Sequence, residues 1–154
     1  MAFDSTAGGT AANSYVSLQE ADDYFEFRLH SDSWEDYANQ EQALVTATKM
    51  LEWYVVWATF SKTITQALTY PDYASADIPI EVKNATCEMA YFILNEDRSM
   101  ESDLIGLSSL KVGPLSITTD KADRKNPIPD VVWMILKPLG VYANTYAGVE
   151  LNRG

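Results

Sequence analysis

Three stretches of this chain repeat apolar residues at intervals of three and four, each bounded by residues that start or break helices. That spacing lays one apolar stripe along a helix, so the chain must fold as helices packed stripe to stripe. The first stretch opens at Ser17-Leu18-Gln19-Glu20, a capping box in which Ser and Glu satisfy each other's backbone N–H groups. Its stripe is Leu18, Ala21, Phe25 and Leu29, widened by Tyr24; Asp22, Asp23 and Glu26 face outward, and the helix is expected to end near His30. Ser31-Asp32-Ser33 breaks the pattern and caps a short turn carrying Trp34 and Tyr37. A second helix is expected from Asn39 or Gln40 to about Ala58, with Ala43 or Leu44, Ala47, Leu51, Tyr54 or Val55, and Ala58 inward. From Leu51 onward it is apolar nearly all round, which suits a central helix or one facing a neighbouring subunit. The third follows Pro79 and runs from Ile80 to about Asp97, burying Ile80 or Val82, Ala85 or Thr86, Met89, Phe92 and Ile93.

The remaining segments are shorter or lack a period. Residues 59–78 make a long irregular stretch, of a length that is usually functional. Leu107–Val112 and Leu115–Thr119 read as two short strands joined at Gly113-Pro114, a hairpin. Residues 120–128 form a charged loop, after which Asp130 is expected to cap a short helix over Val131–Lys137, stopped by Pro138 and Gly140. No internal repeat is visible. The fold class is therefore mainly α: a small four-helix domain over residues 14–140 with a short β-hairpin. An arm over residues 1–13, read as flexible and ordering against a partner, and a tail over residues 141–154 flank it.

Charge narrows the function. The 154 residues hold 22 acids, 11 bases and one histidine, for a net charge of -11. Gripping nucleic-acid phosphates takes a basic face, and this chain supplies at most a local one. Anionic membrane surfaces are disfavoured for the same reason. One cysteine forms no internal disulfide or thiolate metal site, and one histidine forms no histidine-rich metal cluster. No apolar run reaches bilayer length, and the first residues do not resemble a signal peptide, so a soluble protein of a reducing cytoplasm is expected. No cofactor motif, serine elbow or HExxH pattern is present, and no catalytic residue is assigned.

Several residues invite two readings. His30 suits a helix C-terminus, where its charge would favour the helix dipole, or plain surface exposure. Cys87, near the buried side of its helix, reads as an inert core thiol. Asp22, Asp23 and Glu26 could hold a cation, but a solvated helix face explains them better. Trp53, Tyr54 and Trp57 stand beside only Lys49 and Lys62, so core or interface roles suit them better than base stacking. The charge is also polarised. Residues 20–41 hold eight acids and one base, whereas residues 111–137 hold five bases and three acids. Such polarity suits head-to-tail assembly; it also permits a weak nucleic-acid patch at Lys121, Arg124 and Lys125, or plain loop solvation.

Taken in order, Asn13-Ser14-Tyr15-Val16-Ser17-Leu18, Glu20-Ala21-Asp22, Tyr24-Phe25, Arg28-Leu29-His30 and Trp34 resemble the start of small head-to-tail adaptor (connector) proteins of tailed bacteriophages. Ala43-Leu44-Val45, Ala47-Thr48, Gln66-Ala67-Leu68 with Tyr70-Pro71, and Ile80 through Ala85-Thr86-Cys87-Glu88 continue the resemblance. Leu110-Lys111-Val112-Gly113 and Ile128-Pro129-Asp130-Val131 close it, covering about residues 13–139. The same sequences are also labelled a DnaT-like single-stranded-DNA-binding family. The resemblance implies a mostly helical virion protein at the head–tail interface, assembled in the host cytoplasm into a ring, typically twelvefold. Such a ring would dock below the portal protein, extend the DNA channel and carry a tail-proximal connector or tail-terminator protein. The second label implies a single-stranded-DNA-binding replication accessory. Where relatives tend to carry a basic stretch, Val55 to Ser61 is apolar and aromatic here, which weakens the nucleic-acid label more than the adaptor one.

Two function classes follow. In an adaptor, Val141, Tyr142, Tyr146 and Leu151 of the tail, with Trp57 and Tyr70, are the expected contacts to portal or neighbouring subunit. Asp22, Asp23 and Glu26 would then line a lumen through which DNA passes without specific binding. In a replication accessory, Lys121, Arg124 and Lys125 carry salt-sensitive DNA binding.

Overall fold

A computed structural model describes residues 2–95, 126–143 and, as backbone only, the strands 109–112 and 115–118. In chain order the elements are α1 (Leu18–Glu26), α2 (Ser33–Asp36), α3 (Gln40–Tyr54), β1 (Val55–Trp57), α4 (Ile80–Asn95), β2 (Ser109–Val112), β3 (Leu115–Thr118), α5 (Asp130–Leu136) and β4 (Gly140–Tyr142). The fold is a small, mainly helical domain. Helix α4 lies at its centre, packed against α3 on one side and α5 on another, with α1 also resting on it.

The apolar stripes do the packing. From α1, Ala21 and Phe25 are buried; from α3, Ala43, Leu44, Ala47 and Leu51; from α4, Val82, Ala85 and Met89; from α5, Val132 and Leu136. Between the two candidates at the start of α4 the structure selects Val82, leaving Ile80 exposed, and it buries both Ala85 and Thr86. Trp34 of α2 is buried and stacks on Phe25, with ring centroids 4.3 Å apart.

The ends of the elements differ from the sequence reading in four places. Helix α1 keeps its capping box but stops at Glu26, so Leu29 leaves the stripe for solvent. His30 then lies in a turn beyond the helix, with a left-handed φ of 59°. Its carbonyl accepts from the Tyr91 hydroxyl at 2.7 Å, so the histidine contributes through its backbone rather than as a helix-end cation. Asp130 does not cap α5; Pro129 holds that position, its carbonyl accepts from Trp133 N–H at 2.9 Å, and Asp130 is the first helical residue. Helix α3 ends at Tyr54 instead of Ala58. Val55 turns to extended backbone, and Val55–Trp57 pairs antiparallel with β4 as Val55↔Tyr142, Val56↔Val141 and Trp57↔Gly140. A run of two valines and a tryptophan suits a strand as well as a helix, and its period cannot tell the two apart.

Gly140 makes that pairing close. A Cβ there would lie 2.7 Å from Val55 Cγ1 and 2.8 Å from the Val56 carbonyl oxygen. The expected hairpin is present as β2–β3, in the register Leu110↔Ile117 and Val112↔Leu115.

The arm expected over residues 1–13 is tied to its own chain over residues 2–13. Asn13 Nδ2 donates to the Ala2 carbonyl at 2.7 Å, its Oδ1 accepts from Asp4 N–H at 2.9 Å, and its own N–H donates to the Asp4 carbonyl at 2.8 Å. Ala67 N–H bonds the Gly9 carbonyl at 3.1 Å, fastening the arm to the irregular stretch over residues 59–78.

Candidate functional site

The acidic helix face forms as its stripe requires. With Ala21 and Phe25 turned inward, Asp22, Asp23 and Glu26 project into solvent. Asp22 Oδ1 accepts from Trp34 Nε1 at 2.9 Å and Asp23 Oδ1 from Gln19 Nε2 at 2.9 Å, so both carboxylates stay outside while steadying their own surroundings. Among the described residues no cluster of three or more histidine, cysteine, aspartate or glutamate side chains is placed to hold a metal. No described helix is long and apolar enough to cross a membrane.

Opposite charge is sparse. Residues with described side chains include fifteen acids but only Arg28, Lys49, Lys62, Lys83 and Lys137 as bases. Two of these are committed: Lys83 pairs with Glu20, and Arg28 pairs with Glu88. Burial would push the Glu20 carboxyl up, but hydrogen bonds from Lys83 and Ser17 outweigh it and hold the group below its ordinary value. Lys49 on α3, Lys62 in the irregular stretch over residues 59–78 and Lys137 just past the end of α5 are exposed and far apart in the chain. Lys121, Arg124 and Lys125 lie outside the described residues.

Of the expected partner contacts, Val141 is exposed, 42%, and stands opposite Val56, exposed 43%, on the outer face of the β1–β4 ribbon. Tyr142 turns to the inner face, stacked with Tyr54 at 6.3 Å and edge-on to Trp133 at 5.7 Å. Its hydroxyl is buried without a hydrogen-bond partner among the described residues. Tyr142 lines a shallow cavity of about 100 Å³ with Asn126, Ile128, Asp130 and Trp133. The structure moves Tyr70 from the expected partner surface to the interior: it is 2% exposed, edge-on to Trp57 at 5.2 Å and to Tyr15 at 6.2 Å. Trp57 packs on the same core, because the inner face of β1 alternates with its outer face. Tyr146 and Leu151 lie outside the described residues.

Sequence reading missed two carboxylates drawn into the fold. Glu88, on the central helix, is buried and receives Arg28 in a two-pronged pair, Nε to Oε1 at 2.6 Å and Nη2 to Oε2 at 3.0 Å. Tyr24 donates to the same Oε1 at 2.8 Å, and the Arg28 guanidinium lies 4.6 Å from the centre of the Tyr91 ring. The Glu88 hydrogen bond raises the Arg28 pKa, while burial and the Glu88 charge push the Tyr24 phenol up. Among the described residues Glu52 pairs with no cation. It takes hydrogen bonds from Tyr15, from Trp57 Nε1 at 3.0 Å and from Thr69 Oγ1 at 3.0 Å. Burial first, then the Glu52 charge, raises the Tyr15 phenol well above its ordinary value. These partners come from four separate segments, so no local spacing announces them; the only sequence signal was a glutamate inside an otherwise apolar run. Cys87 is buried, and burial pushes its thiol up to about 12, which keeps it protonated and a poor nucleophile near neutral pH.

These contacts account for the opening motif in structural terms. Asn13 fastens the arm, Ser14 Oγ donates to the Val16 carbonyl at 2.7 Å, Tyr15 reaches Glu52, and Ser17 caps α1. The family model described as "Putative DnaT-like ssDNA binding protein" matches residues 1–154. No curated protein and no solved structure matches the chain.

Proposed function

The chain belongs to this DnaT-like single-stranded-DNA-binding family, and we propose, from its resemblance to tailed-phage adaptors and from its acidic surface, that it is an assembly subunit of the head-to-tail adaptor kind. In this reading it forms a ring below a portal protein, extends the DNA channel, offers a platform to a tail component and performs no catalysis. One observation carries the reading. The described surface is acidic and its bases are few, yet it exposes Trp53 (70%), Val56 and Val141. Phosphate binding needs clustered cations, whereas apolar side chains on an acidic surface suit contact with protein. An acidic ring lumen would also repel DNA phosphates and let DNA pass without sticking. Electron microscopy of the purified chain mixed with portal protein tests this: rings seated on the portal are expected, and an undecorated portal with a monomeric chain would overturn it.

The family description favours a second reading, in which the chain binds single-stranded DNA as a replication accessory. Its cations would be Lys121, Arg124 and Lys125. Fluorescence anisotropy of a labelled oligonucleotide across a salt series separates the two. Binding that weakens steeply with salt, and that charge reversal at those three positions abolishes, supports the accessory. Negligible binding at low salt supports the adaptor.

A further inference from the structure

The arm over residues 2–13 closes on itself and then leans on the irregular stretch over residues 59–78. Asn13 closes it, through its bonds to Ala2 and Asp4. Gly8 turns it, with a φ of 71° in the left-handed region that glycine takes freely. A Cβ there would stand 3.6 Å from Pro71 Cγ, so the turn rests against the irregular stretch. Gly9 N–H donates to the Thr6 carbonyl at 3.0 Å, which aims the Gly9 carbonyl at Ala67 N–H, 3.1 Å away.

The irregular stretch has neither helix nor strand to satisfy its backbone, so its polar groups need other partners. Some are its own. Lys62 N–H donates to the Pro71 carbonyl and Tyr73 N–H to the Phe60 carbonyl, each at 3.2 Å, and Gln66 Nε2 donates to the Leu68 and Pro71 carbonyls, each at 2.8 Å. These bonds flank the antiparallel bridge Ser61↔Asp72 and set Phe60 and Tyr73 opposite each other, 86% and 85% exposed. Three hydrogen bonds join the stretch to the rest of the described chain. Ala67 N–H reaches Gly9, Tyr70 N–H reaches the Tyr15 hydroxyl at 3.4 Å, and Thr69 Oγ1 reaches Glu52 at 3.0 Å. Tyr15 donates to the same Glu52 carboxylate and stands two residues beyond Asn13. Arm, Tyr15, Glu52 and the stretch are thus one linked set.

We propose that the arm is a latch on residues 59–78. Seated, it holds the turn around Ala67 through Gly9 and Pro71 through Gly8, while Tyr15 and Glu52 form the catch beneath. Lifted, it leaves that turn on the catch alone, and the stretch that carries Phe60 and Tyr73 opens more often. Segments held by a few hydrogen bonds lie at the low-stability end of a fold, so one bond more or less shifts their opening directly. The coupling is reciprocal: what draws the arm away loosens the stretch, and what grips the stretch seats the arm. The device does not depend on the assembly reading.

Hydrogen exchange of the full chain, read by mass spectrometry, tests it. Asn13→Ala unties the arm and Gly8→Val strains its turn, since a branched side chain resists a left-handed φ. In both variants exchange over residues 61–70 should quicken about fivefold, the worth of one net hydrogen bond, with α3 and α4 at wild-type rates. In the reverse direction, Thr69→Val should quicken exchange over residues 4–14. An arm that exchanges faster while residues 61–70 keep the wild-type rate overturns the latch, and so does unchanged exchange throughout in both arm variants. Should an arm variant quicken α3 and α4 equally, its whole fold is loosened and Thr69→Val decides: wild-type exchange of its arm overturns the coupling.

Discussion

The β1–β4 ribbon and the β2–β3 hairpin are alike in size and unlike in what backs them. Both are antiparallel and two-stranded. The first is fastened by Val55 against the core, by Tyr142 against Tyr54 and Trp133, and by a glycine that lets the strands close. The second is joined mainly to itself among the described elements. Two strands alone make only a marginal unit, and the β1–β4 ribbon is completed by its own helices. Variants that disturb that ribbon should therefore be read in stability.

The largest stability effect is expected at the joint of the backed ribbon. Gly140→Val places a branched side chain where even a Cβ meets Val55 and the Val56 carbonyl. Overpacking there should cost about 3 kcal/mol and lower Tm by roughly 6–12 °C for a chain of this size. A melt within a degree of wild type would mean the ribbon is not held as described. Next comes the helical body under the ribbon. Arg28→Ala leaves Glu88 buried with Tyr24 as its remaining side-chain partner. The loss should be about 2 kcal/mol, below the 3–5 kcal/mol of fully buried pairs because Arg28 is partly solvated. Urea titration measures it, and an unchanged midpoint would remove the ion pair from the account.

A smaller effect separates the body from both ribbons by pH. The Tyr15 and Tyr24 phenols titrate above their ordinary value when folded, so their protons are held more tightly in the folded state than in the unfolded one. Their contribution is fully present below about pH 10 and is lost as pH rises beyond it toward the folded values. Stability should fall on that alkaline side, and less steeply in Tyr15→Phe; an equal slope would contradict the Glu52 cluster.

What was legible in the sequence follows the same division. The capping box at Ser17, the stripes of α1, α3 and α4 and the hairpin around Gly113-Pro114 are local patterns, and local patterns can be read without knowing what they pack against. Trp34 was readable in place but not in role, since its ring partner Phe25 and its acceptor Asp22 lie on another helix. The switch of Val55–Trp57 from helix to strand depends on Gly140, 85 residues from Val55 in the chain, and no period in residues 51–58 could announce it. Tyr70 was misplaced for the same reason: it sits in an irregular stretch whose burial is decided by Tyr15 and Trp57. Buried Glu88 and half-buried Glu52 were invisible as structural acids because donors such as Arg28 and Tyr15 come from distant segments. The acidic face at Asp22, Asp23 and Glu26 was fully readable, because an outward face is the complement of an inward stripe.

In the adaptor reading this chain meets its own copies rather than the phosphates of DNA. Sedimentation velocity of the full chain at low salt, with a fluorescent single-stranded oligonucleotide present, tests it in one experiment. Protein mass is expected to grow with concentration while the label continues to sediment as free oligonucleotide. Label travelling with a monomeric protein, and released by charge reversal at Lys121, Arg124 and Lys125, would contradict it.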